Sequence, residues 1–199
     1  MKRGIAGLVL GLAGCGAERT MQVHPDFGPT AVRAQGVREL RLYLGHGAAV
    51  RGLAVYHTDE ALIPAPVRAL GAQSFPGRPV LYFETEWHAA AGGAQALYEV
   101  QYDLGEGISG EVSALADGTL LYVEQPIALD TLPPAIRTAA LAVVPGTLVE
   151  AESKVGPGLD QVDLKLTHEG RTHVLVMSRD GALLWHALRF PAQVEVPVP

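Results

Sequence analysis

Two stretches of this chain repeat each other at a fixed distance, which restricts the fold to a unit built twice. Leu62-Ile63-Pro64-Ala65-Pro66-Val67-Arg68-Ala69 lies without a gap on Thr131-Leu132-Pro133-Pro134-Ala135-Ile136-Arg137-Thr138, at a shift of 69 residues. The same shift carries Pro76-Gly77 onto Pro145-Gly146. Further on, Asp117-Gly118-Thr119-Leu120-Leu121 matches Asp180-Gly181-Ala182-Leu183-Leu184 at a shift of 63, the difference falling in a Gly-rich insert from His88 to Gly93. Self-similarity at a fixed period marks a repeated supersecondary unit.

Each unit reads as a short helix followed by strands. Pro64, Pro66, Pro133 and Pro134 suit a first helical turn, where the missing N–H is not needed. Asp130 and Thr131 are candidate caps for the second helix. Val67, Leu70 and Phe75, then Ile136, Ala139, Ala140 and Val143, recur at helical spacing before the two Pro-Gly stops. Alternating runs follow: 80–87, 96–104, 110–116 and 120–124 in the first unit, and 147–155, 161–167, 172–178 and 183–190 in the second. In 161–167 Val162, Leu164 and Leu166 alternate with Asp163, Lys165 and Thr167, the pattern of a strand with one wet face. Asp117-Gly118 and Asp180-Gly181 are hairpin dipeptides, because glycine supplies a positive φ without steric cost. Upstream, 39–44 and 50–56 form one more hairpin around Gly45-His46-Gly47.

Helix then antiparallel strands, twice, predicts an α+β fold of two tandem repeats, with the short helices on one face of a sheet and an N-terminal hairpin ahead of them. On the Leu-Pro-Pro-Ala-Ile-Arg helix start, the Pro-Gly stop, the strand with alternating acidic residues and the Asp-Gly-x-Leu-Leu hairpin, the stretch from Leu62 to Phe190 resembles the PepSY-like family. That family's fold is related to the β-lactamase-inhibitor proteins. The resemblance implies a fold and a protein partner, restraint of a secreted hydrolase being the function it points to; it carries no catalytic residues to transfer.

The N-terminus reads as an address. Lys2 and Arg3 precede an apolar run from Ile5 to Leu12, and small residues then lead to Cys15, the only cysteine. Charged, apolar, then small is the layout of a secretory leader, and 4–14 is far short of the roughly 20 residues of a membrane span. Leu12-Ala13-Gly14-Cys15 resembles a bacterial lipobox, which implies acylation of Cys15 and durable membrane attachment. Gly16 stands where an Asp would mark inner-membrane retention, so the outer membrane is expected in a host with two. The expected organisation is leader 1–14, flexible tether 15–36, N-terminal β-hairpin 37–61, first repeat 62–127, second repeat 128–192 and tail 193–199. A tether of this length spans roughly 25 Å on average, holding the folded part near the bilayer.

Charge and motifs exclude several chemistries. The formal net charge of −6 becomes −8 once Lys2 and Arg3 leave, which argues against nucleic acid as a partner. Gly105-Glu106-Gly107-Ile108-Ser109-Gly110 satisfies a dinucleotide fingerprint, but a strand follows it rather than a helix N-terminus. His168 and His173 are one residue too far apart for H-E-x-x-H, with no third ligand evident, so no metal site and no cofactor are expected. No serine sits in a nucleophile motif, and the one cysteine is assigned to the lipid. The chain is therefore expected to be no enzyme.

The expected function is a membrane-tethered binding module of the cell envelope that engages a protein or peptide. Its candidate contacts are Trp87 and His88 at the Gly-rich loop, as an aromatic hot spot, and Glu84, Glu86, Glu150 and Glu152 on an exposed acidic strand face. The alternative is a small-ligand or cation binder that uses the same acidic face.

Overall fold

The computed structural model describes residues 34–45, 50–90 and 93–191. They form ten strands and two α-helices, a mostly-β fold rather than an evenly mixed α+β one. The chain divides into two compact units between Leu121 and Tyr122. Cys15, the tether up to residue 33 and the tail 193–199 lie outside the described residues.

The N-terminal unit holds β1 (Glu39–Leu44), β2 (Val50–His57), helix α1 (Ala65–Ser74), β3 (Val80–Ala90), β4 (Gly93–Gly105) and β5 (Ile108–Ala114). Neighbouring strands pair antiparallel in chain order. Prolines set the start of α1: Pro64 is its N-cap residue and Pro66 lies in its first turn. Phe75 closes it by donating its N–H to the Gly71 carbonyl. The Gly-rich stretch expected as a loop from His88 to Gly93 is largely ladder, because β3 continues to Ala90, which pairs with Gly93.

That hairpin fixes the faces of the sheet. Leu53, Val55 and His57 on β2 stand beside Trp87, Thr85 and Phe83 on β3, and these beside Ala96, Tyr98 and Val100 on β4. Helix α1 packs on this apolar face through Val67, Gly71 and Phe75. Phe75 stacks on Tyr102 at 5.1 Å, and a side chain at Gly71 would collide with the Tyr102 hydroxyl. Every residue between those positions on β3 and β4 points to the other face.

The C-terminal unit repeats the scheme with aliphatic packing. Strand β6 (Leu120–Pro126) crosses the division between units; α2 (Pro134–Val143), β7 (Thr147–Gly156), β8 (Leu159–His168), β9 (Arg171–Ser178) and β10 (Leu183–Arg189) follow it. Ile136, Ala140 and Val144 from α2 pack on Ala151, Val162, Leu164, Leu166, Leu175 and Met177. These three helix positions fall 69 residues after Val67, Gly71 and Phe75. Asp130 and Thr131 do not cap α2: its N-cap is Pro133, with no side-chain cap bond, and the Thr131 hydroxyl donates to the Ala128 carbonyl at 2.9 Å. Both Asp-Gly hairpins turn as their sequences require, with φ of +85° at Gly118 and +90° at Gly181.

Candidate functional site

The face of β3 turned away from α1 carries Tyr82, Glu84, Glu86 and His88, and register adds residues from four neighbouring strands. The hairpin closing at Ala90 and Gly93 sets Glu84 opposite Glu99, and β5 then sets Ser113 opposite Glu99 and Glu111 opposite Gln101. On the other side, Tyr56 pairs with Glu84, and Arg41 and Tyr43 on β1 share the same face. Three carboxylates and their neighbours are thus brought together by ladder geometry alone.

This face is not exposed, contrary to the expectation for Glu84 and Glu86. Glu84 is 2% exposed, Glu86 7% and Glu99 3%, while Glu111 and Gln101 are also buried. Aromatic and cationic side chains from β1 and β2 line it. The Arg41 guanidinium sits 4.3 Å from the Tyr56 ring centre and bonds Glu39 at 2.6 Å, while the Tyr43 ring stacks on His88. Alternation told which residues share the face; it did not tell what lies along it.

The buried carboxylates are unequal. Glu86 accepts a hydrogen bond from the Tyr43 hydroxyl at 2.8 Å and lies 2.5 Å from His88 Nε2. Burial works to raise the Glu86 pKa, but the bonds from His88, Glu84 and Tyr43 outweigh it and bring it down to about 2. Burial also works against a charged His88, yet its bond to Glu86 and the charges of Glu86 and Glu99 raise its pKa. Glu84 goes the other way: burial, then the charges of Glu99 and Glu86, hold its pKa well above the carboxylate range. Of the pair, Glu84 is therefore the one that favours its protonated form, beside a Glu86 matched to His88. Two acceptors on this face remain without hydrogen-bond partners while fully shielded from water, Glu84 Oε1 and Ser113 Oγ. Leaving such a group unmade costs about 1–3 kcal/mol.

Trp87 is a correction. It is 3% exposed and packs with Leu53 and Val55 on the helix face, because odd positions of β3 point to the core. It cannot meet an external partner there, and it lies on the opposite face from His88. Glu150 and Glu152 belong to the C-terminal unit, on β7, and do not join the N-terminal cluster. Register sets Glu150 opposite Lys165 and Glu152 opposite Asp163. Lys165 pairs with Glu150 and lies 3.9 Å from Glu152. Lys154 lies 2.7 Å from Glu124 and 3.1 Å from Asp163, with its ammonium over the Tyr122 ring. Burial, then the Glu124 carboxylate, raises the Glu152 pKa to about 9.

Other features were missed in the sequence. A third imidazole, His186 on β10, lies 2.9 Å from His173 Nδ1. Among the described residues, the set of three metal-ligating side chains whose donor atoms close to within 4.8 Å is Glu84, Glu86 and Glu99, not the histidines. A half-open groove of about 560 Å³ runs beside α1, lined by Arg68, Phe75, Arg78, Val80 and Tyr102 among others. The exposed tryptophan is Trp185 on β10, where Leu183, Leu184 and Leu188 are exposed with it, and Phe190 just beyond is 64% exposed. A run apolar on both strand faces was the available signal, since a core strand with one wet face would alternate.

No protein-family model matches the chain, and no curated protein matches it. Among solved structures it is similar to a DUF2874 family protein from Bacteroides ovatus, at 16% identity over 63% of this chain and 87% of that one, with a TM-score of 0.47. It is also similar to a protein described as periplasmic from Bacteroides eggerthii, at 14% identity over 63% and 88%, TM-score 0.49. A BLIP-like protein from Bacteroides fragilis matches at 17% identity over 69% and 96%, TM-score 0.46. At these identities the likeness is one of fold.

Proposed function

We propose that the chain is a non-enzymatic binding module of the bacterial cell envelope, tethered to a membrane through a lipid on Cys15, which takes an extended segment of a protein partner along β10. The observation that carries this reading is the apolar strand that ends the C-terminal unit. Leu183, Leu184, Trp185 and Leu188 are all exposed on it. β10 pairs with β9 on one side, so among the described residues its other edge offers free backbone donors and acceptors. An edge of this kind templates the addition of a further strand, with pockets between its side chains to choose the sequence. A register shift between Leu183 and Trp185 restricts regular pairing to Trp185–Arg189. The resemblance to PepSY-like domains supports a secreted hydrolase as the partner class.

The test is crosslinking in intact cells, with a photoreactive residue at Leu184 of the lipidated chain. One discrete partner band, lost when Leu188→Pro removes an N–H from the strand, is the expected result. Crosslinks confined to copies of the chain itself, or a pattern indifferent to Leu188→Pro, would overturn the reading. Cys15→Ser is expected to move the protein into the soluble fraction at unchanged yield; retention on the membrane would refute the tether.

A further inference from the structure

We propose that Glu84, Glu86 and Glu99, with Ser113 beside them, form a site for a divalent cation of the calcium class. One oxygen from each carboxylate can be chosen so that all lie within 4.8 Å of one another. That separation is about twice a Ca²⁺–oxygen distance of 2.3–2.6 Å, so a single ion can touch all three. The independent sign is Ser113. Its hydroxyl is fully buried, has no hydrogen-bond partner, and stands opposite Glu99 on the carboxylate face. A hydroxyl oxygen has two lone pairs to offer a cation. Glu84 Oε1 is equally shielded and unpartnered.

The charges point the same way. The cationic groups on this face are Arg41 and His88, with the Arg38 guanidinium beside them, 5.5 Å from the Tyr82 ring centre. Arg41 bonds Glu39 and His88 bonds Glu86, and neither hydrogen-bonds Glu84. All four donors are hard oxygens, which suit Ca²⁺ or Mg²⁺ better than zinc or copper. Mg²⁺ keeps its waters and demands near-octahedral geometry, whereas Ca²⁺ accepts irregular protein oxygens. A site shielded from water within a rigid ladder favours the larger ion. The donors come from three adjacent strands, so the ion would also clamp β3, β4 and β5 together.

The site is independent of the β10 reading, which would stand or fall by its own crosslinks. The experiment is a calorimetric titration of the EDTA-stripped full chain with CaCl₂, alongside melts with and without the metal. Saturable one-site binding with a Kd on the order of 10⁻⁵–10⁻³ M is expected, with a rise in Tm of several degrees. Glu84→Gln and Glu99→Gln should each weaken binding at least tenfold, as a roughly estimated loss of one charged ligand, and Ser113→Ala should weaken it less. Glu169→Gln, on an exposed turn, should leave it unchanged. Metal-free melts establish that each variant is folded; if a glutamate variant is not, Ser113→Ala, which keeps every charge, still decides. No heat and no Tm shift with Ca²⁺, affinity that survives these substitutions, or equal binding of Mg²⁺ would overturn the proposal.

Discussion

Glu84-x-Glu86 and Glu150-x-Glu152 sit in matching places, each on the first strand after a helix, yet their surroundings differ in sign. In the N-terminal unit the residue opposite the first glutamate is Glu99, and in the C-terminal unit it is Lys165. Two of the chain's three lysines, Lys154 and Lys165, stand on the C-terminal carboxylate face. Each Glu-x-Glu pair splits: Glu84 rises while Glu86 falls, and Glu152 rises while Glu150 falls. Lysine accounts for the low member in one unit, histidine and tyrosine in the other. The lesson is that one strand pattern serves two ends: a face that neutralises itself, and a face that keeps buried oxygens available.

The largest expected difference is in pH dependence. Glu152, with its pKa raised to about 9, holds a proton in the folded chain that the unfolded chain loses near pH 4.5. Between those values the folded state binds more protons, so its stability is complete below pH 4.5 and declines as pH rises toward 9. A full proton is worth about 1.4 kcal/mol per pH unit; screening at this partly exposed carboxyl leaves roughly 4 kcal/mol over the window. Glu84 and Asp163, also raised, act with the same sign. Melting curves from pH 5 to 9 should therefore show a falling Tm, and Glu152→Gln should make the fall shallower. A flat wild-type profile would break the comparison.

Next in size is the removal of a lysine. Lys154→Met keeps the stem but strips the cation from between Glu124 and Asp163, and one unpaired buried partner costs about 3 kcal/mol. In a chain of this size that is a Tm loss of about 10 °C, read by calorimetry. Glutamine for glutamate sharpens the contrast by its sign. Glu84→Gln is expected to leave the calcium-free protein at least as stable as wild type, since a neutral amide takes the place of a carboxyl that favours its protonated form. Glu150→Gln should destabilise, because Lys165 loses its partner. Losses at both positions would mean the two faces do not differ as described.

Local chemistry was legible in the sequence and the surroundings of the sheet were not. The proline starts, the Pro-Gly stops and the Asp-Gly turns each depend on a few adjacent residues, and all occur where the spacing put them. Alternation along 80–87 separated Phe83, Thr85 and Trp87 from Glu84 and Glu86. What alternation does not report is which face is wet. The polar face is buried among Arg41, Tyr43 and Tyr56, residues more than twenty-five positions upstream whose approach depends on register. Trp87 was misplaced for the same reason: the insert beside it continues the ladder instead of opening a loop. Two of the three lysines in the sequence, Lys154 and Lys165, fall on one face of one unit.

The smallest prediction concerns the helices. Val67, Gly71 and Phe75 on α1 match Ile136, Ala140 and Val144 on α2, and glycine replaces alanine at the middle position alone. Propensity favours alanine by about 1 kcal/mol in a helix interior, so Gly71 needs another cause. That cause is Tyr102: a Cβ at Gly71 would strike its hydroxyl and come within 3.1 and 3.2 Å of ring carbons. Phe75 stacks on the same ring from one turn further along, which limits where it can move. Overpacking of this kind costs about 1–3 kcal/mol, slightly more than the helix gains, so Gly71→Ala should lower stability by a net of about 1 kcal/mol. In a Tyr102→Phe background the worst contact disappears and the penalty should shrink, while the two ring contacts keep it from vanishing. Urea unfolding of the single and double variants measures the difference. If Gly71→Ala stabilises the wild-type background, the aromatic ring yields, and the tight packing assigned to the N-terminal unit is wrong.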